Sequence, residues 1–222
     1  LSATLYPTLQ WKNFSSVYRL SVLLKGPIRP DVLQKAVDLS MKRFPTYKVA
    51  IHKGLFWRYL EPNNRPGPFV QPDIANPCMP MYFRAGNRYL LRVYYYDRRI
   101  SLECHHSLGD GTGGMCVLQT ITAVYLRLLG AEISNGFFVL DINEKPDPEE
   151  LEDAYLRYAN AQVCPPRPAE KTYRVRGTPE PFHTLNIIDG IMSVKEVNAA
   201  AKKYGATITE YLNSVLLYAL LN

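Results

Sequence analysis

Cysteine is scarce in this chain: Cys78, Cys104, Cys116 and Cys164 are the only four among 222 residues, widely and irregularly spaced. No Cys-x-x-Cys pair occurs, which leaves reduced cytoplasmic thiols as the expectation. Long apolar runs are lacking too, none approaching the roughly 20 residues that span a bilayer. No basic-apolar-small leader opens the chain. Charged residues make up 21% with no long block of one sign, so disorder is not indicated. The reading from these absences is a soluble, cytoplasmic protein. An initiator Met is missing as well, and the apolar pattern from Thr207 to Leu221 stops at Asn222 without a glycine, cationic last turn or proline beyond. The chain therefore reads as a fragment of a longer protein.

What is present suits a sizeable core. Hydrophobic residues are 47% and the formal net charge is +6, compatible with an anionic ligand and equally with an ordinary basic surface. Val17–Leu24 alternates as a strand and Gly26-Pro27 ends it. Pro30-Asp31 opens a helix whose Leu33, Ala36, Val37, Ser40 and Phe44 share one face, with Pro45 as its stop. Tyr47–His52 and Leu55–Leu60 suggest a hairpin about Lys53-Gly54, and proline-rich 61–80 an extended surface loop. Arg88–Tyr96 and Arg99–Cys104 suggest a second hairpin across Asp97-Arg98. Thr112–Leu129 is apolar nearly all round and reads as a buried helix. From Asn143 to Pro181 acidic residues and then prolines mark a linker, with a helix expected over Glu149–Ala161. Strand Thr184–Met192 follows, then a helix from Ser193 to Tyr204 with Ser193 and Glu196 as a capping box and Gly205 as its stop. A last helix begins at Thr207 or Thr209.

Chemistry concentrates in His105-His106-Ser107-Leu108-Gly109-Asp110-Gly111. Ile100, Leu102 and Cys104 share one face of the strand before it, and Arg99, Ser101 and Glu103 the other. Continued alternation puts His106 on the apolar side and His105 with Glu103. Gly109 and Gly111 allow the chain to reverse sharply, Asp110 can hold backbone amides of the turn, and Thr112-Gly113-Gly114 lets the next helix start close to the sheet. Acyl transfer from a thioester needs the acceptor's proton removed as it attacks. An imidazole, with an unperturbed pKa of about 6.5, suits that task.

This His-His-x-x-x-Asp-Gly sequence at a strand end before a buried helix resembles the signature of the chloramphenicol acetyltransferase-like superfamily, which includes condensation domains and alcohol acetyltransferases. Tyr18-Arg19-Leu20-Ser21-Val22, Lys42-Arg43-Phe44-Pro45, Gly54-Leu55-Phe56-Trp57-Arg58-Tyr59-Leu60 and Asn76-Pro77-Cys78 resemble bacterial alcohol acetyltransferase-like proteins. The likeness covers most of the chain to Gly130 and resumes over Ile188–Leu221. It implies an α+β fold, a mixed sheet with helices packed on one face, forming the N-terminal half of a two-lobe acyltransferase. It divides the chain into a lobe (1–142), an inter-lobe linker (143–182) and the truncated start of a second lobe (183–222). It implies His106 as general base, with His105, Gly109, Asp110 and Gly111 as structural support. It also implies acyl-CoA, most simply acetyl-CoA, as co-substrate with no bound cofactor, and a small alcohol or amine as acceptor. Where the family's aspartate often meets an arginine, this chain has Lys48, a point charge without arginine's fork.

Other readings stay beside it. The fold could serve as a non-catalytic binding module, or use an amine acceptor or a carrier-bound thioester. Surface left by a missing lobe could drive homodimerisation. A metal site is disfavoured because adjacent strand histidines point to opposite faces and no third ligand stands at ligand spacing. A Cys104 nucleophile is weaker than Cys104 as packing. The Arg88–Arg99 and Tyr89–Tyr96 interleaving fits a half-buried sheet better than a nucleic-acid face, and His52 and His183 receive no role.

Overall fold

Alternating, β-branched sequence at the start of the chain folds as expected into β1 (Val17–Leu23) in the computed structural model. The structure describes residues 2–9, 14–84, 87–152, 157–158, 177–178, 180–181 and 184–221. A short helix, α1 (Ser2–Thr8), precedes β1, and α2 (Pro30–Ser40) follows it. Pro30 occupies the first turn of α2, where its missing N–H costs nothing, and Asp31 faces the positive helix end. The helix buries Val32, Leu33, Ala36, Val37 and Ser40, the face expected from spacing. It ends at Ser40, earlier than Pro45, which instead begins a 3-10 turn at Pro45–Tyr47. Phe44 is buried all the same.

The first hairpin is β2 (Val49–Lys53) with β3 (Arg58–Pro62), paired so that Lys53 lies opposite Arg58. Its turn is thus longer than Lys53-Gly54. Leu55, Phe56 and Trp57 read as strand from their apolar character, but all three are exposed at the tip. The proline-rich stretch is more ordered than a surface loop. It contributes β4 (Val70–Pro72), parallel to β5 (Leu91–Tyr96), and as an edge strand it tolerates Pro72. Strand β5 begins after Arg88 because that residue takes a left-handed φ of 62°. Asp97, at φ 47°, turns the chain into β6 (Arg99–His105).

The main sheet runs β1-β6-β5-β4, antiparallel except for the β4–β5 pair. The buried helix α3 (Gly111–Leu128) packs with α2 against one face, over a core that includes Leu33, Val37, Ile100, Leu102, Val117 and Ile121. This is the α+β arrangement of a mixed sheet with helices on one face. Each such side chain, wholly removed from water, contributes about 1.5–3 kcal/mol.

The opposite face of β6, polar in sequence, is covered as well. Ser101, Glu103 and His105 are as buried as Ile100 and Leu102. The reason is ionic: Glu103 accepts from Arg19 Nε at 2.9 Å and from the Cys78 backbone N–H, while Arg19 also donates to Asp73. These bonds tie the chain around Asp73–Cys78 over the sheet.

The chain divides into two compact units: Leu1–Cys164 with Phe182–Thr184, and Pro165–Pro181 with Leu185–Asn222. In the first, α4 (Pro148–Leu151) carries a complete capping box on Asp147 and Glu150. The rest of the helix expected over Glu149–Ala161 lies largely outside the described residues. In the second unit, α5 (Val194–Lys203) starts where Ser193 Oγ accepts the Glu196 N–H, and Gly205 ends it with a left-handed φ of 66°. Thr207 and Glu210 exchange bonds to open α6 (Ile208–Leu221). The strand expected over Thr184–Met192 is irregular instead: Ile188 and Ile191 are fully exposed, and no strand among the described residues pairs with it.

Candidate functional site

Strand β6 ends at His105, so the two histidines leave the sheet in different settings. His105 is wholly buried. Its Nδ1 accepts the Ser107 backbone N–H at 3.2 Å and lies 3.0 Å from Ser107 Oγ. With Nδ1 accepting, a neutral ring carries its proton on Nε2, which is buried without a partner among the described residues. The Phe83 ring meets His105 edge-on, with centroids 5.3 Å apart. Burial, helped by His106 and Arg58, pulls the His105 pKa down to about 4.

That depression has a measurable consequence. Below pH 6.5 the unfolded chain protonates this histidine while the folded one stays neutral until about pH 4. Stability supplied by His105 is therefore intact above pH 6.5 and drains away as the pH falls toward 4. Urea titrations over that window should show a smaller loss of stability in His105→Gln than in the parent. Equal slopes would assign the acid sensitivity to other groups.

His106 is only half-buried and makes its first contact through the backbone, donating its N–H to Ser16 O at 2.8 Å. Its ring stacks on Tyr6 of α1 (5.1 Å) and tilts against Tyr18 of β1 (4.7 Å). Tyr18 pairs with Cys104 in the sheet and packs against the core, so the His106 ring lies on the apolar side that alternation assigned to it. Ser16 organises this corner. It sits buried at a left-handed φ of 52° and also donates Oγ–H to Tyr6 O at 3.1 Å. A non-glycine residue in that region costs of order 1 kcal/mol or more, and such strain clusters at functional sites.

Asp110 serves as the N-cap of α3, its carboxylate accepting the Gly113 N–H at 3.0 Å. No ion pair with a cation, Lys48 included, forms at Asp110 among the described residues; the helix end takes the place of a basic partner. Asp110→Ala should cost about 0.5–2 kcal/mol of stability in thermal or urea unfolding, and a loss above that range would mean the carboxylate has a further partner.

The geometry requires Gly109, Gly113 and Gly114, as the sequence suggests, but not Gly111. A Cβ on Gly109 or Gly113 would come within 2.9 and 2.5 Å of the Tyr47 hydroxyl, and one on Gly114 within 2.6 Å of the Tyr18 hydroxyl. Gly111 opens α3 with nothing within 4 Å of its missing side chain. Two tyrosines are thus wedged beneath the first turn of the helix, and Tyr18 donates to Asp110 O at 2.7 Å. Burial holds both phenols well above the ordinary range. The same burial pushes the Cys104 thiol up to about 12, so it stays protonated and inert as a nucleophile.

Tyr6, Ser16, Tyr18 and Tyr47 were not singled out as site residues from sequence. The paired Gly113-Gly114 was the available signal, since adjacent glycines mark a close approach whose occupants they do not name. Cys78, Cys104 and Cys116 are free thiols. Among the described residues no group of three His, Cys, Asp or Glu stands close enough to hold a metal, and no helix is long and apolar enough to cross a membrane.

No family model and no curated protein matches the chain. Solved structures do resemble it in part. SgcC5 from Streptomyces globisporus is 14% identical with a TM-score of 0.43, the match covering 54% of this chain and 32% of that one. The starter condensation domain of rhizomide synthetase RzmA is 16% identical at a TM-score of 0.44, covering 55% and 35%. Polyketide synthase associated protein 5 from Mycobacterium tuberculosis is 17% identical at 0.42, covering 52% and 30%. The chain spans about a third of the length of the structures it matches.

Proposed function

We propose that this chain contributes the histidine-bearing lobe of an acyltransferase, in which His106 removes the proton from an alcohol as it attacks an acyl-CoA thioester. The observation that carries the reading is the setting of His106. Its backbone is pinned to Ser16 and its ring is braced by Tyr6 and Tyr18. No hydrogen bond occupies its ring nitrogens among the described residues, and the side chain keeps access to solvent. An orientated imidazole with a nitrogen free for a substrate is what general-base catalysis requires. In the step, the acceptor O–H proton passes to His106, the acceptor oxygen bonds to the thioester carbonyl carbon, and the carbon–sulfur bond breaks. The proton then goes to the departing sulfur, leaving an ester and free CoA thiol.

His105, Asp110 and the glycines shape the turn in this reading. His105, buried and with a depressed pKa, is the weaker candidate for proton transfer. The proposal includes the division into a lobe (1–142), a linker (143–182) and the start of a second lobe (183–222), and an acetyl group as the simplest cargo.

A thiol-release assay on the native gene product, with acetyl-CoA and a panel of small alcohols and amines, tests it. Alcohol-dependent release of CoA thiol is the expected result. Release with amines alone would move the acceptor to nitrogen. Saturable protein–protein binding without any turnover would overturn the enzymatic reading in favour of a binding module.

A further inference from the structure

A concave site lies away from the histidine turn, on the β4–β5 side of the sheet. Its cavity of about 300 Å³ is lined by residues that include Pro68, Phe69, Tyr82, Arg88, Tyr89 and Arg92. That volume is at the small end of ligand sites, and the lining is mostly apolar with a few polar groups. None of the lining residues belongs to the His105–Gly111 turn.

The two arginines of the cavity have different fates. Arg92 is committed: Nη1 donates to Met79 O at 3.1 Å, Nη2 to Pro80 O at 2.8 Å, and the guanidinium lies 3.5 Å from Glu103. Arg88 makes no hydrogen bond or ion pair among the described residues, and its Nε is buried without an acceptor. A buried donor left unmade costs about 1–3 kcal/mol, more when charged. Arg88 also holds a left-handed φ of 62°, an uncommon and unfavourable conformation for a long side chain. Arg88 thus carries both backbone strain and a buried donor with no acceptor among the described residues, at the wall of an aromatic-edged cavity. Around it Tyr89 donates its hydroxyl to Arg65 O and Asn87 its amide to Pro66 O, so these walls are fixed by bonds of their own.

A guanidinium presents a planar fork of donors that matches a carboxylate in two parallel bonds. The remaining lining is mostly apolar and aromatic, with Gln71, Asn87 and the committed Arg92 as its polar members, which suits a flat or short hydrocarbon body. We propose that this cavity binds a small organic monocarboxylate, aromatic or short-chain, with Arg88 as its anchor and the Phe69 and Tyr82 rings against its apolar part. Neither proposed substrate of the histidine turn, the acyl thioester or the alcohol, is such an acid. The site therefore stands independently of the acyltransferase reading.

Ligand-observed NMR and calorimetry on the purified protein test this with benzoate, benzyl alcohol and inorganic phosphate as probes. Benzoate should bind saturably with a Kd on the order of 1 mM or tighter, benzyl alcohol should bind at least roughly tenfold more weakly, and phosphate alone should not saturate. Arg88→Gln should weaken benzoate by roughly tenfold or more. Tyr82 is 69% exposed, so Tyr82→Ala retains the fold and should weaken benzoate severalfold if Arg88→Gln fails to fold. Equal binding of benzoate and benzyl alcohol, saturation by phosphate, absence of benzoate binding, or unchanged affinity in both variants would each overturn the proposal.

Discussion

If the proposed function holds, His106→Ala should lower acetyl-CoA-dependent thiol release by about 10²–10⁴-fold, the range expected when a general base is removed from an otherwise intact site. The fold survives the change. His106 is half-exposed, and its one hydrogen bond to Ser16 is made by the backbone N–H, which alanine keeps. What is lost is ring contact with Tyr6 and Tyr18, and an aromatic pair contributes about 0.5–1.5 kcal/mol. Circular dichroism and a thermal melt should therefore show a folded protein while turnover collapses. His105 supplies the contrast: it is wholly buried with Nδ1 already bonded to Ser107, so removing it should damage stability. A His106→Ala enzyme with parental turnover would reject the mechanism outright. A split in which kcat falls while KM holds would locate the lost interaction in the transition state.

The parts of this molecule that were legible in sequence are those governed by local periodicity. Strand β1, the buried faces of α2 and α3, the hairpin across Asp97-Arg98 and the helix starting at Ser193 all follow from spacing and caps that act over a few residues. The misreadings share a different cause. Leu55–Trp57 and Thr184–Met192 both read as strand in sequence, because apolar composition does not report whether a partner strand exists. The polar face of β6 gives no sign in sequence of what lies over it, yet Glu103 and His105 are buried. What covers them comes from Asp73, Cys78 and Phe83, some 22–30 residues distant along the chain, and from Arg19 on another strand. Pairings at such separation leave no mark in a single sequence.

At the site the motif identified the turn but not its supports. Tyr18 and Tyr47 approach α3 from β1 and from the turn after α2, and only the bare glycines at 113 and 114 hinted that something had to fit there. Asp110, for which an ion pair was one option, spends its carboxylate on the helix end.

The ionic cover over β6 makes Glu103 the residue whose loss should harm stability most. Its carboxylate is 1% exposed, Asp73 is 4% exposed and Arg19 15%, so all three are largely removed from solvent screening. Glu103→Ala leaves the Cys78 N–H without its acceptor and strips Arg19 of one of two anionic partners. Breaking a buried pair by removing one member costs about 3–5 kcal/mol, because the remaining charge stays desolvated. Glu103→Gln should fall between parent and alanine, since it keeps an acceptor but loses the charge. Arg99 provides the control: it pairs with the same Asp73 at 2.9 Å but is 43% exposed, and Arg99→Ala should cost no more than about 1 kcal/mol. Urea midpoints at unchanged m would rank the three variants. Glu103→Ala matching Arg99→Ala would mean that water reaches the network and that the cover is loose. Loss of Glu103 should also be felt at the histidine turn. The segment held by Glu103 continues to Phe83, which packs edge-on against His105, so loosening it should raise the His105 pKa from its depressed value toward that of a solvated imidazole. NMR titration of His105 in Glu103→Gln would register that shift, linking the buried charges on one face of β6 to the histidine at its end.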